Sequence, residues 1–217
     1  MKIQYKKSPI TFGVIAICVV MYLYTCIRFG SRMTALEAVQ VGGLHPILIL
    51  ELNEYYRLFT ANIIHFDLMH IFCNCYSLYT IGSMMGLEQL LKPKRYIFLI
   101  IISMLFTTGI PCLLYVIFNI GGNSIMGGLS GVVFGLIGAM LALAICFRGQ
   151  YLQIFKQIYQ SVLLMLVVSV LVPSISLVGH VAGMIGGFVG MILIIKCVPL
   201  PIWKKKNKIK EDEPLIH

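Results

Sequence analysis

Charge is what this sequence has least of, and acidic charge above all. Eight Asp and Glu residues stand against 17 Lys and Arg, and charged residues make up only 12% of the 217. With 59% hydrophobic residues and a mean hydropathy of +0.93, a water-soluble globule is excluded and a polytopic membrane protein is expected. No cleavable signal is expected either. The first apolar run, from Pro9 to about Phe29, is too long for a signal's apolar core, and no small-residue cleavage site follows it. Regular cysteine spacing is absent too: Cys18, Cys26, Cys73, Cys75, Cys112, Cys146 and Cys197 lie in or beside apolar runs. They read as small hydrophobes, neither a disulfide framework nor a zinc site, so no metal or cofactor is expected. The net charge of +9 falls in short loops and tails. It reads as a membrane-orientation signal, not as a nucleic-acid surface.

What is present is a series of apolar, helix-length runs. Residues 1–8 form a basic leader with Lys2, Lys6 and Lys7, and span one covers about Pro9 to Arg28. The segment from 29 to 64 is too apolar for a disordered loop and too interrupted to cross a bilayer, so it is expected to be partly helical and interfacial. Span two, about Phe66 to Gly86, is unusually polar, with His70, Asn74, Ser77, Thr80 and Ser83. A hinge at Glu88 to Arg95 contains the breaker Pro93. Spans three to six follow at about Tyr96–Phe118, Gly128–Phe147, Leu152–Leu171 and Gly179–Val198. The tail, 199–217, is basic and then acidic, and reads as disordered. The expected fold is therefore all-α, with six transmembrane helices over residues 9–198 and an interfacial first loop.

Placing both termini inside puts 14 of the 17 basic residues on the inner side, leaving Arg28, Arg32 and Arg57 outside. Spans two, four and six then all begin on the outer side. That assignment, made from charge alone, brings His65, His70 and Asn74, Ser130, and His180 to similar depth. Polar and ionisable groups inside spans are expensive, which makes them functional candidates.

Ser130 would be a nucleophile with His180 as its general base. An orienting carboxylate is lacking: Glu37, Glu51, Glu54, Asp67, Glu88, Glu211, Asp212 and Glu213 all lie away from the depth of His180, and Asp67 sits at the mouth of span two. A Ser–His dyad without a third member is expected. His70 and Asn74, spaced i, i+4, share one helix face about 6 Å apart along the axis. Both can donate to a developing oxyanion, and the Ser130 backbone N–H at the first turn of span four can add a third bond. Gly131 and Gly135, Gly179, Gly183 and Gly187, and Gly186 and Gly190 form small-xxx-small faces. Close contact of spans four and six along them would bring Ser130 to His180. Phe134, one turn below Ser130, could stack on the imidazole.

With Gly128-Leu129-Ser130-Gly131, Gly179-His180-Val181-Ala182-Gly183 and the run from His65 through His70 to Asn74 in view, residues 9–198 resemble the rhomboid family of intramembrane serine proteases, in a minimal six-helix form. The resemblance implies that Ser130 is the nucleophile, His180 the base, and His70 and Asn74 the oxyanion-side residues. It further implies that Glu88 ties the cytoplasmic ends together. Tyr55-Tyr56-Arg57 is similar to the family's aromatic-Arg stretch, with Tyr56 in place of tryptophan. Phe134 stands where tyrosine is common, and Gly179 where alanine is common. His65 is expected either to lie at the interface or to support the first loop.

The function expected is endoproteolysis of single-pass transmembrane proteins entering from the lipid bilayer, at a site towards the outer side of a bacterial inner membrane, with the 172–178 loop as a lid. The alternative is a non-catalytic binder of membrane helices or a small transporter using the His/Asn cluster. The missing intramembrane carboxylate weighs against proton-coupled transport.

Overall fold

In the computed structural model, residues 7–147, 149–171 and 176–197 are described. Most of the basic leader, the 172–175 part of the expected lid and the whole tail lie outside those residues. Within them the elements are helical throughout, joined by two isolated β-bridges.

Helix α1, Pro9–Phe29, opens with proline at its first position, where the missing N–H would have had no intrahelical acceptor. The first loop then folds into three short helices, α2 (Ala35–Gln40), α3 (Pro46–Glu51) and α4 (Arg57–Thr60), and a 3₁₀ turn at Ala61–Ile63. A capping box starts α2: the Thr34 side chain accepts from the Glu37 N–H, and the Glu37 carboxylate accepts from the Thr34 N–H at 2.7 Å. Those Thr34 donors hold the Glu37 carboxyl below the usual glutamate range. The loop's anchor is Arg57, which is buried. Its guanidinium donates to the carbonyls of Val39 and Gly43 at 2.7 and 2.8 Å and pairs with Glu54. It thereby ties α2 and the connections on either side of α3 to α4.

Asp67 caps α5 (Leu68–Tyr79), its carboxylate accepting from the His70 N–H at 2.8 Å. The chain continues through a π turn at Thr80–Met84 into α6 (Leu87–Phe118). The expected hinge is present as a break within α6. Lys92 leaves helical geometry (φ 65, ψ 162) directly before Pro93, where proline's ring disfavours the α conformation of the residue ahead of it. Helices α7 (Ser130–Phe147), α8 (Gly149–Leu171) and α9 (Leu177–Cys197) complete the described chain.

Among the described residues, five helices are long and apolar enough to cross a membrane: α1, α6, α7, α8 and α9. The expected second span is shorter than its sequence run implies. Its 12 α-helical residues and the five of the π turn reach about 25 Å at ~1.5 Å per residue, against a hydrocarbon core of about 30 Å.

The α6, α7 and α9 helices form the centre. Here the glycines expected to allow close approach do so: a Cβ at Gly187 would collide with the Gly135 carbonyl and one at Gly183 with the Gly131 carbonyl; Gly138, outside the expected repeats, meets the Met184 carbonyl in the same way. Backbone meets backbone, which only glycine permits. At the opposite end of α6 from Ser130, the buried Glu88 carboxylate accepts from the N–H groups of Ile10 and Thr11, each at 2.9 Å, and from the Thr11 hydroxyl at 2.7 Å. It thus caps α1 and fastens it to the start of α6.

Candidate active site

The segment before Ser130 has no regular structure of its own and takes its shape from the first loop. Leu44 and Met126 exchange backbone bonds, the Gly128 N–H donates to the Ala61 carbonyl at 2.9 Å, and the Leu129 N–H donates to His65 Nε2 at 3.4 Å. His65 Nδ1 in turn lies 3.2 Å from the Ile63 carbonyl. One ring nitrogen therefore donates and the other accepts, which only the neutral imidazole can do. Gly128 has φ +129, a conformation L side chains rarely adopt, and a Cβ there would lie 2.7 Å from His70 Nε2. Its glycine is required twice over.

Helix α7 begins at Ser130, so the N–H groups of its first turn have no intrahelical acceptor. Helix α9 begins just ahead of His180. Ser176 caps it, its hydroxyl accepting from the Gly179 N–H at 3.0 Å and its carbonyl from the His180 N–H at 3.1 Å. The glycine contacts between the two helices bring these starts together. Ser130 Oγ lies 2.8 Å from His180 Nε2. Phe134, fully buried, stacks on the imidazole with ring centroids 4.3 Å apart and planes 19° apart.

On the other side of Gly128 stand His70 and Asn74. The Phe66 N–H donates to His70 Nδ1 at 3.4 Å, so the ring's proton is on Nε2, the nitrogen that faces Gly128. Phe66 stacks on the same ring at 6.0 Å, and His65 meets it edge-on at 5.0 Å. Asn74 is buried, and its Nδ2 has no hydrogen-bond partner among the described residues. An orphaned donor in a protein interior is costly and calls for a reason. Here it lies 3.5 Å from where a Gly128 Cβ would be. A hydroxyl held on an imidazole, with N–H donors converging beside it, has what a serine nucleophile and an oxyanion site require.

Every residue singled out at this depth in the sequence is therefore gathered here: Ser130, His180, His70, Asn74, Gly128, Gly131, Phe134 and His65. Arg57 and Glu88 lie away from it and act on the scaffold. One neighbour went unnoticed in the sequence. Ser169 of α8 places its Oγ 2.8 Å from His180 Nδ1. Among the described residues the third group at the pair is a hydroxyl. A serine within an apolar run was its only signal in the sequence, and such serines usually satisfy themselves on their own helix.

Five long apolar helices among the described residues, two of which start at a paired Ser130 and His180, define a polytopic helical membrane protein. Residues 52–197 match the Rhomboid domain, and the chain belongs to that family. It is 27% identical over 186 residues to "Rhomboid protease GluP" of Bacillus subtilis (strain 168), an alignment covering 85% of this chain and 34% of that protein. It is 26% identical over 193 residues to "Rhomboid-like protein 15" of Arabidopsis thaliana, covering 82% of this chain and 45% of that one. "RHOMBOID-like protein 1" of the same plant is 30% identical over 167 residues, covering 75% and 41%. The chain thus spans between about a third and a half of the length of these relatives.

Proposed function

We propose that this rhomboid-family membrane protein is a serine endopeptidase that cleaves transmembrane helices of other proteins. The observation that carries the reading is the 2.8 Å contact of Ser130 Oγ with His180 Nε2, made beside the unpartnered Asn74 amide. Ser130 attacks the carbonyl carbon of the scissile peptide while its proton passes to His180 Nε2. The oxyanion accepts hydrogen bonds from the Ser130 N–H, His70 Nε2–H and the Asn74 amide. Collapse of the tetrahedral species breaks the C–N bond, and His180 returns its proton to the leaving amine. Water, deprotonated by His180, then releases the acyl group from Ser130.

A helical substrate hides its carbonyls in its own hydrogen bonds, so the segment cleaved must first unwind. Substrates with small or helix-weakening residues near the site are favoured. The positive-inside pattern supports both termini in the cytoplasm and the Ser130 end of α7 towards the outer face. The similarity to a protein named as a rhomboid protease supports the same chemistry.

Reconstitution with a fluorogenic transmembrane substrate tests it. Ser130→Ala and His180→Ala abolish cleavage, and Ser130→Ala abolishes labelling by a fluorophosphonate. Asn74→Ala loses about 3 kcal/mol of transition-state stabilisation, a few-hundredfold in rate. Full activity in either dyad variant would overturn the proposal.

A further inference from the structure

Helix α8 contributes a third member to the Ser130–His180 pair. We infer that Ser169 is a positioning residue that selects the tautomer of His180, an inference that rests on the catalytic reading above. Ser169 Oγ is buried between two partners: the Met165 carbonyl one turn back at 2.7 Å, and His180 Nδ1 at 2.8 Å. A hydroxyl has one proton. A carbonyl oxygen can only accept, so the 2.7 Å contact to Met165 is a hydrogen bond only if Ser169 donates it. The Ser169 oxygen is then the acceptor for His180, and Nδ1 must carry the ring's proton. Nε2 is left with its lone pair towards Ser130, as a general base requires.

Counting bonds gives the preference. With the proton on Nδ1, three hydrogen bonds form: Ser169 to Met165, His180 to Ser169, and Ser130 to His180. With the proton on Nε2, the Ser169 hydroxyl must turn to Nδ1, and only two form. The Met165 and Ser169 oxygens are then left 2.7 Å apart with no proton between them. Stacking on Phe134 restrains the imidazole plane but is blind to which nitrogen is protonated. Ser169 supplies that choice. It does what an orienting carboxylate does in a triad, without placing a charge among apolar helices.

The test has two readouts on the full chain in lipid bilayers. The first is the ¹⁵N spectrum of the His180 ring, assigned by its disappearance in His180→Gln, which reports the tautomer without any need for turnover. Wild type shows a protonated Nδ1 and a bare Nε2. Ser169→Ala shifts the population towards the other tautomer, and Ser169→Thr, which keeps the hydroxyl, restores the wild-type pattern. The second readout is cleavage. In Ser169→Ala, kcat falls about tenfold to a hundredfold, by analogy with removal of the hydrogen-bond partner of a metal-ligating imidazole, with KM unchanged, and Ser169→Thr recovers it. A wild-type ring protonated on Nε2, or an alanine variant with the wild-type spectrum, overturns the assignment of Ser169 whatever the activity. The expected spectra in a wild-type chain that cleaves nothing leave the assignment standing and remove the protease reading instead.

Discussion

Helices α7 and α8 are consecutive in the chain and similar in length, yet they are held by opposite means. Of the most apolar 18-residue stretch in each, 72% is buried in α7 and 11% in α8. Helix α7 meets α9 through glycine backbones, whereas α8 leans on the bundle along one edge, with Tyr151, Ile154, Phe155, Ile158 and Met165 packed against the core. Its other faces, with Leu163, Leu164 and Val170, are open. The difference separates two demands on one site. The Ser130–His180 distance is set by the tight pair, because a hydrogen bond tolerates only a few tenths of an ångström. The tautomer of His180 is set from the loosely held helix, through the single hydroxyl of Ser169.

This contrast can be broken most severely at Gly187. A valine there puts a branched side chain into the Gly135 carbonyl. Overpacking of this kind costs about 3 kcal/mol or more, and separation of α7 from α9 removes Ser130 labelling as well. A lowered unfolding midpoint together with lost fluorophosphonate reactivity is expected; a variant that keeps both would show that the helix contact does not set the dyad. Next come paired truncations. Leu136→Ala on α7, fully buried, loses about 2–4 kcal/mol by leaving a cavity. Leu164→Ala on α8, 64% exposed, changes stability by no more than about 0.5 kcal/mol. Equal losses in a denaturant titration would erase the distinction. The smaller test lies at the far end of α6. Glu88→Gln replaces an acceptor oxygen with an NH₂ facing N–H donors of α1, costing about 1.5–3 kcal/mol. It lowers the melting temperature while leaving KM unchanged, since Glu88 sits away from the site.

Much of the site was legible before any coordinates because membranes make polar groups conspicuous. Ser130, His180, His70 and Asn74 stood out as costly residues at matching depth, and each glycine repeat had one plausible use. Ser169 stayed hidden because a serine inside a helix can satisfy its own hydroxyl one turn back. It does so here on Met165, and the second bond, to His180, depends on how α8 docks. The clamp on the Ser130 approach was equally invisible. The Leu44–Met126 and Ala61–Gly128 contacts are backbone bonds between segments more than 60 residues apart, and backbone groups carry no residue-type signal. The short α5 was overestimated because its polar and apolar residues continue smoothly into Thr80–Met84, where the helix widens into a π turn.

Local chemistry by itself determined that this chain is helical and membrane-embedded, and that Ser130 and His180 both lie at helix starts. Apolar length, proline and glycine placement and the cost of buried polarity act within a few residues of where they are written. Tertiary structure alone decided the 2.8 Å between Ser130 and His180, the conformation of the segment leading to Ser130, and the proton position that Ser169 imposes. Each of these depends on the relative placement of two or more separately formed helices. That placement follows from backbone approach and hydrogen-bond geometry, to which residue type gives permission but not coordinates.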